Sequence, residues 1–420
     1  MSETVNKNTT ESASSPGNEA VSASAVEVPS YIQRPSFGQM LRGDLGFIPV
    51  LITFIIIVIY FTIATNGIFL QPRNLSNLLL QVATIGMLGL GSILVLLLGE
   101  IDLSLAAVST LCAVVMAVMT ERLGYPAGLA IIAALLTGAL VGFVNGVFVA
   151  ILRVPSFIVT LAGSIGYSGL LLLLLFPQST LSINNPFIDA IAGTPTSYLT
   201  NELSIGLPTL GLLIYVGALI FNYMRRKRAG LRTAPIGQLV AQIVGATIII
   251  EGAVVLFESY FGVPYSTAIL FGMITLIWLI LTKTAFGRHI YAVGGNMEAA
   301  RRAGINVIGI RIAVFTLCST LAAIGGIIAA SRGLSVASQI DPTLLLRAIA
   351  AAVIGGVSLF GGRGSAWAIV LGMLIIGSLE NGLDLKSQPT EVKEIVEGIV
   401  LLLAVTVDAL VRRAQARSGR

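Results

Sequence analysis

The sequence predicts an all-α, polytopic membrane protein with about 12 transmembrane helices. Three observations support this fold class. Of the 420 residues, 55% are hydrophobic and only 11% are charged, which is too little charge for the surface of a soluble domain. Apolar runs that reach the length of a membrane-spanning helix, about 20 residues, recur along the chain. Positive charge is concentrated in a few of the segments between these runs.

The N-terminal segment differs from the rest of the chain. Residues 1–30 are rich in Ser, Thr, Ala, Asn and Glu and poor in large apolar side chains, so they cannot bury enough surface to order themselves. No basic segment precedes a short apolar core there, which argues against a signal peptide. We expect a disordered cytoplasmic tail at 1–44, a membrane domain at 45–411 and a cytoplasmic tail at 412–420.

The apolar runs predict the individual spans. In chain order these lie near 47–64, 78–98, 103–119, 127–150, 156–176, 207–224, 237–257, 267–282, 310–330, 343–360, 366–380 and 395–411. Several are short or interrupted by glycine, so one or two are candidates for broken or re-entrant helices. Gly138, Gly142 and Gly146 recur at every fourth position and predict one helix face for close packing.

The distribution of basic residues predicts the orientation. Arg and Lys cluster at 34–42, 225–232, 283–302 and 412–420, whereas the link 177–206 has none and carries three prolines. By the positive-inside rule, the four basic segments are cytoplasmic. The twelve spans then put both termini in the cytoplasm and the link 177–206 outside.

A short charged segment, GGNMEAARRAGI at 294–305, lies between two apolar runs. Asn296 is a favourable N-cap, and Glu298 in the first turn suits the helix dipole. Arg301 and Arg302 lie in the last turn and within reach of Glu298, while Gly304 suits a left-handed C-cap. The pattern predicts a short cytoplasmic helix that is not stable alone in water.

The same helix carries small residues on one side. Ala299, Ala300 and Ala303 share a flat, weakly apolar face. An interfacial helix on the lipid headgroups is one interpretation. Docking into a groove of a partner protein is the other, and we favour it because alanine gains little from entering a membrane.

An ordered set of motifs resembles the ribose- and xylose-type sugar permeases of ATP-binding-cassette (ABC) importers. Glu298, Ala299, Ala300 and Gly304 resemble the EAA loop of such permeases. The other matching runs are GEIDLS at 99–104, PSFIVTL at 155–161, GRHIYAVGGN at 287–296, AGINV at 303–307, GGVSLFGG at 355–362, NGLDL at 381–385 and LAVTVD at 403–408.

The resemblance implies an ABC-importer permease fold, in which the loop 283–309 couples the spans to an ATPase. The positions that it assigns to coupling, with their neighbours, are Asn296, Glu298, Ala299, Ala300, Arg301, Arg302 and Gly304. Arg301 and Arg302 depart from the family pattern and are either partner-specific salt bridges or solvated charges. The implied partners are ABC ATPase subunits, an extracytoplasmic sugar-binding protein and a second permease copy or paralogue.

Two further regions depart from the ribose type. The region 195–265 resembles the extra hairpin of the longer xylose-type permeases, and it contains Glu251 inside an apolar run. An ionisable group at that depth is a candidate for a transport role or for a buried partner contact. Arg347 stands where relatives tend to have an acidic residue, so no family role transfers to it.

The residues expected along a translocation pathway are Asp102, Ser104, Gly355, Gly356, Ser358 and Asn381. For Asp102 the favoured alternative is N-capping of a helix that starts at Leu103. The glycines at 355–364 are either packing residues or hinges beside the pathway.

The chain shows no enzyme signature. It has no GxxxxGK[ST] segment for ATP, and its single histidine has no nucleophile–acid setting or metal-ligand spacing. Basic residues flank the spans without forming a nucleic-acid patch. We therefore expect no cofactor, no metal and no nucleic-acid partner.

The predicted function is the membrane subunit of an importer in the cytoplasmic membrane of the cell. It would translocate a monosaccharide, xylose or another pentose, by alternating access driven by a separate ATPase. The alternative is a stand-alone, ion-coupled secondary transporter, which needs ionisable groups deep in the membrane; Glu251 is the only clear one in the sequence.

Overall fold

The computed structural model describes residues 48–193, 197–231, 233 and 235–417. The tail predicted at 1–44 lies outside the described residues. The helices up to the first strand are α1 (Ile48–Ala64), α2 (Pro72–Leu97), α3 (Leu105–Ala117), α4 (Ala127–Ala150) and α5 (Ser156–Leu175). A 3-10 turn at Ile68–Leu70 precedes α2, and a π-helical turn at Val118–Arg122 extends α3.

The second half adds more helices and one small sheet. Strand β1 (Thr180–Ser182) is followed by α6 (Pro186–Ala192), α7 (Asn201–Arg228), α8 (Ile236–Glu258), α9 (Tyr265–Lys283), α10 (Ala285–Gly295), α11 (Met297–Arg302) and α12 (Val307–Gly333). Strand β2 (Ser335–Ala337) is followed by α13 (Pro342–Ile354), α14 (Ala368–Leu385) and α15 (Thr390–Arg417).

The helices have the length and composition of membrane spans. In the described part of the chain, 9 helices are long and apolar enough to cross a bilayer. Val50–Ala64 and Pro342–Ile354 are shorter apolar helices, and α15 overlaps the last predicted span. Each predicted span therefore overlaps a helix, and the chain is a helical, multi-pass membrane protein, as the sequence predicts.

One predicted span ends earlier than expected. The run 343–360 was predicted as a single helix, but α13 stops at Ile354. Gly356, Gly361, Gly362 and Gly364 all have positive φ, which a right-handed helix cannot contain. The prediction is wrong at this boundary, and an irregular segment at 355–367 joins α13 to α14.

The connections between helices gather at two opposite ends of the bundle. At one end β1 pairs with β2, Tyr198 bridges Pro264, and the Ile183 N–H donates to the Leu334 carbonyl. At the other end the Gly362 N–H donates to the Leu97 carbonyl. The chain alternates between these ends, so 177–206 and 283–309 lie at opposite ends. Which end is cytoplasmic stays a prediction.

Helix α2 occupies the centre of the bundle and packs against α9, α12, α13 and α14. Every residue from Val82 to Leu98 is buried. By contrast, α7 and α8 lie at the side and pack mainly against each other. Their buried residues are only Ser204 and Leu212 in α7 and Val254 in α8. This pair falls within the region predicted as an extra hairpin.

Glycines let α4 and α12 approach closely. A Cβ atom built on Gly142 would overlap the carbonyl oxygen of Phe315, and one on Gly146 would lie 2.8 Å from the Cα of Ile312. Gly138 meets the next turn of α12 in the same way. The predicted small-residue face therefore packs against helix backbone.

Replacing Gly142 with alanine tests this packing. We expect the added methyl group to lower the free energy of unfolding by about 1–3 kcal/mol, because neither backbone can move aside without disturbing the core. Thermal unfolding of the detergent-solubilised protein measures the effect. Gly128→Ala is the matched control on the same helix, because nothing lies within 4 Å of its Cβ position. Equal melting temperatures for both variants would contradict the prediction.

Candidate functional site

The short helix α11 has the N-terminal cap that the sequence predicts. The Asn296 side chain accepts a hydrogen bond of 2.9 Å from the Ala299 N–H. Arg301 donates to Glu298 at 3.2 Å, one turn earlier in the helix. This ion pair is largely exposed, so it contributes little to stability. Both predicted interactions are confirmed, and they define where the helix begins.

The C-terminal end of α11 forms a Schellman motif. The Gly304 N–H donates to the Arg301 carbonyl at 3.0 Å, and the Ile305 N–H donates to the Ala300 carbonyl at 3.1 Å. Gly304 has φ of 82°, a left-handed conformation that glycine adopts without steric cost. The predicted stop signal is confirmed.

The three alanines of α11 do not share one accessible face. Ala300 is buried within the chain's own core, while Ala299 and Ala303 are exposed. Ala300 therefore anchors the helix to the bundle, and the prediction that the three alanines share one face is wrong. A coupling role for Ala300 stays a prediction. The exposed residues of α11 and its C-cap form what we call the docking face: Glu298, Ala299, Arg301, Arg302 and Ala303.

The segment that precedes α11 packs against two other loops. A Cβ on Gly294 would overlap the Leu97 carbonyl oxygen, so the two backbones are in direct contact. The Gly362 N–H donates to the same Leu97 carbonyl at 2.9 Å. The Tyr291 hydroxyl donates to the Gly364 carbonyl at 2.8 Å. The coupling segment 285–306 thus rests on the end of α2 and on the irregular segment 355–367.

Residues 98–104, which link α2 to α3, contribute one member of a partly buried ion pair. Arg311, in the second turn of α12, forms an ion pair with Glu100, and the two side chains are only 14% and 13% exposed. Arg311 also donates to the Val149 carbonyl at 3.3 Å, near the end of α4. Nothing in the sequence pairs these residues, which lie 211 positions apart. The available signal is that Arg311 is a cation near the start of an otherwise apolar helix, whose other charged residue is Arg332 in the last turn.

Asp102 lies buried in the same link. Its Oδ1 accepts from the Ser104 N–H at 2.8 Å and from the Ser104 hydroxyl at 2.6 Å. Helix α3 begins at Leu105 with Ser104 as N-cap residue, so the prediction that Asp102 caps a helix from Leu103 is wrong. Burial raises the pKa of Asp102, and the hydrogen bonds from Ser104 act in the opposite direction.

A chain of hydrogen bonds leads from Asp102 across the bundle. The Asn145 side-chain amide donates to the Ser104 hydroxyl at 3.2 Å, and the Tyr167 hydroxyl donates to the Asn145 side-chain oxygen at 2.7 Å. Four groups on the link, α4 and α5 are therefore connected in the interior. Buried polar groups that satisfy one another in this way hold helices in a fixed relation.

The residues expected along a pathway do not come together. Asp102 and Ser104 lie in the α2–α3 link, while Gly355, Gly356 and Ser358 lie in the irregular segment 355–367 that follows α13. Asn381 lies towards the opposite end of the bundle, where it accepts from Asn74 at 2.8 Å and donates to Gln81 at 3.1 Å. These bonds join α14 to α2. The six residues do not form one site.

An ionic cluster joins α13, α14 and α15, and sequence reasoning missed it. Arg347 donates to Glu380 at 3.0 Å and to Glu397 at 2.8 Å, and Asp341 lies at 3.9 Å. Glu251 is therefore not the only ionisable group within the apolar helices. The Glu251 carboxylate accepts a hydrogen bond of 3.1 Å from the Thr209 hydroxyl within the α7–α8 pair.

Within the described ranges, no group of three or more His, Cys, Asp or Glu residues could hold a metal ion.

Replacing Arg347 with glutamine tests the ionic cluster. We expect a loss of up to about 3 kcal/mol in unfolding free energy, because Glu380 and Glu397 would be left close together without a counter-charge. Thermal unfolding in detergent measures the loss. Lys393→Gln is the matched control, because the Lys393–Asp384 pair is more exposed and contributes about 1 kcal/mol or less. A larger loss in the control would contradict this assignment.

Comparison with known proteins identifies the family. The family described as branched-chain amino acid transport system / permease component matches residues 74–405. The xylose transport system permease protein XylH of Escherichia coli K12 is 40% identical over 359 residues, which cover 86% of this chain and 90% of that protein. The corresponding protein of Haemophilus influenzae is 37% identical and covers 85% and 94%.

More distant relatives are named for the import of other sugars. The ribose import permease protein RbsC of Bacillus subtilis is 32% identical and covers 86% of this chain and 91% of its own. No solved structure matches the chain. The expected resemblance to ribose- and xylose-type permeases is confirmed over most of the sequence. The chain therefore belongs to the branched-chain amino acid transport system / permease component family, as a multi-pass membrane permease and not an enzyme.

Proposed function

We propose that this chain is the membrane-spanning permease subunit of an ABC importer that carries a monosaccharide into the cytoplasm. The observation that carries the proposal is the 40% identity to a xylose transport system permease protein over 86% of the chain. Xylose or another pentose is the proposed substrate. Relatives named for ribose and fructose import, at 32% and 30% identity, support the wider class of monosaccharides.

The proposed mechanism is alternating access driven by a separate ATPase. The docking face on α11 is the contact for that ATPase, because it is exposed, combines two alanines with three charged side chains, and lies on a helix that is capped at both ends. An extracytoplasmic binding protein would deliver the sugar at the opposite end, which carries β1, β2 and α6. A second permease copy or a paralogue would complete the pathway in the cell membrane.

The alternative function, a stand-alone secondary transporter, finds little support in the deep ionisable groups. Arg347 forms ion pairs with both Glu380 and Glu397, so each of these carboxylates has a cation beside it. Glu251 lies in the peripheral α7–α8 pair, where it accepts a hydrogen bond from a hydroxyl. Another buried carboxylate, Asp102, lies in the α2–α3 link, where its Oδ1 accepts two hydrogen bonds from Ser104. These carboxylates are all held by ion pairs or hydrogen bonds, whereas ion coupling uses ionisable groups along a transport pathway.

Reconstitution tests the proposed function. The permease is placed in proteoliposomes with its ATPase and its binding protein, and uptake of labelled xylose is measured with ATP inside. We expect uptake that requires ATP, the ATPase and the binding protein, and that unlabelled xylose competes better than ribose or fructose. Uptake driven by a proton or sodium gradient without the ATPase would overturn the proposal in favour of the secondary transporter.

A substitution on the docking face tests the ATPase contact. We expect Ala303→Asp to abolish co-purification of the ATPase, because a carboxylate would be buried without a partner against the docked protein. Membrane insertion and thermal stability should not change, since Ala303 is exposed. Ala229→Asp is the matched control, because Ala229 is exposed in the link between α7 and α8. Full ATPase recovery with Ala303→Asp would argue against this docking face.

A further inference from the structure

The chain on both sides of α11 contacts the end of α2 and the α2–α3 link that follows it. On the N-terminal side of α11, Gly294 presses against the Leu97 carbonyl with no room for a side chain. Gly361 of the irregular segment 355–367 lies between Gly294 and Gly99, because a Cβ built on it would lie 2.7 Å from the Gly294 carbonyl oxygen and 2.9 Å from the Gly99 nitrogen. On the C-terminal side of α11, Arg311 forms the ion pair with Glu100. These contacts come from opposite flanks of α11, yet they converge on residues 97–100.

The contacts that Gly294 and Arg311 make with residues 97–100 are rigid enough to transmit a movement of the coupling segment. Leu97 is completely buried and ends the central helix α2, so its carbonyl cannot shift without moving that helix. Arg311 lies in the second turn of α12, only a few residues after Gly304, and it is also bonded to the Val149 carbonyl of α4. Packed backbone contacts and partly buried ion pairs resist gradual deformation.

The far side of the link is fastened to α5. The Ile101 N–H donates to the Ser156 hydroxyl at 3.4 Å, and the Leu103 N–H donates to the Thr160 hydroxyl at 3.0 Å. Ser156 and Thr160 are two of the four buried residues of α5, a helix that is otherwise exposed or partly exposed. The chain Asp102–Ser104–Asn145–Tyr167 adds a third attachment.

We propose that residues 97–104, which we call the transmission link, convey displacement of the coupling segment to α2 and α5. In this assignment Glu100 and Arg311 are a positioning pair, and Gly294 sets the distance between the coupling segment and α2. The proposal rests on the proposed function, since it concerns how ATPase movement reaches the spans. To the proposed ATPase contact it adds a route for movement inside the permease, formed by residues outside the docking face.

A charge exchange tests the positioning pair in the reconstituted system. The readout is the number of ATP molecules hydrolysed per sugar taken up, normalised to the amount of permease. We expect Glu100→Arg and Arg311→Glu each to raise this ratio about threefold or more, within the range for substitutions along a coupling network. The double variant should return the ratio towards the wild-type value. Single variants that lower uptake and ATPase activity in proportion, or a double variant no better than either, would overturn the proposal.

A glycine pair provides the second, independent test. Gly294→Ala should raise the same ratio, because its methyl group forces the coupling segment away from Leu97. Gly295→Ala should not, because nothing lies within 4 Å of its Cβ position. Equal ratios for the two variants would count against the transmission link. Failure of the proposed function is distinguishable, since wild-type permease would then show no ATP-dependent sugar uptake at all.

Discussion

Helix α12 crosses α4 so closely that Gly142 leaves no space for a methyl group beside the Phe315 carbonyl, and Gly326 of α12 meets the Ser109 carbonyl of α3 in the same way. In a bilayer there is no hydrophobic driving force between helices, so association depends on close van der Waals contact. Glycine permits that contact because backbone can meet backbone. The remaining architecture depends on this constraint.

The same constraint operates between α13 and α14 and at the end of α2. Gly372 of α14 packs on the Ala351 carbonyl of α13, and Gly355 packs on the Ala368 carbonyl in return. At the coupling end, Gly294 makes an equivalent contact with the end of α2. A displacement of the coupling segment is therefore opposed by backbone and not by adaptable side chains. This property suits the transmission link to the proposed role of carrying movement from an ATPase to the spans.

Charged groups are used sparingly and are placed at helix junctions. Glu100–Arg311 joins the α2–α3 link to α12, and the Arg347 cluster joins α13 to α14 and α15 near the opposite end. In a bundle with few polar groups, such pairs fix the relation of particular helices at the cost of desolvation. No comparable pair ties α7 and α8 to the central helices within the described part of the chain. This agrees with the peripheral position of these two helices.

The sequence alone determined the local features of this protein. Apolar length predicted the spans, the spacing of glycines predicted the packing face of α4, and capping residues predicted both ends of α11, because each of these depends on residues close together in the chain. The ordered motifs predicted the permease family. Tertiary structure decided which side of α11 is accessible, so that Ala300 faces inward while Ala299 and Ala303 do not. It also paired Glu100 with Arg311 and gathered the Arg347 cluster, since contacts between residues far apart in sequence exist only once the helices have packed.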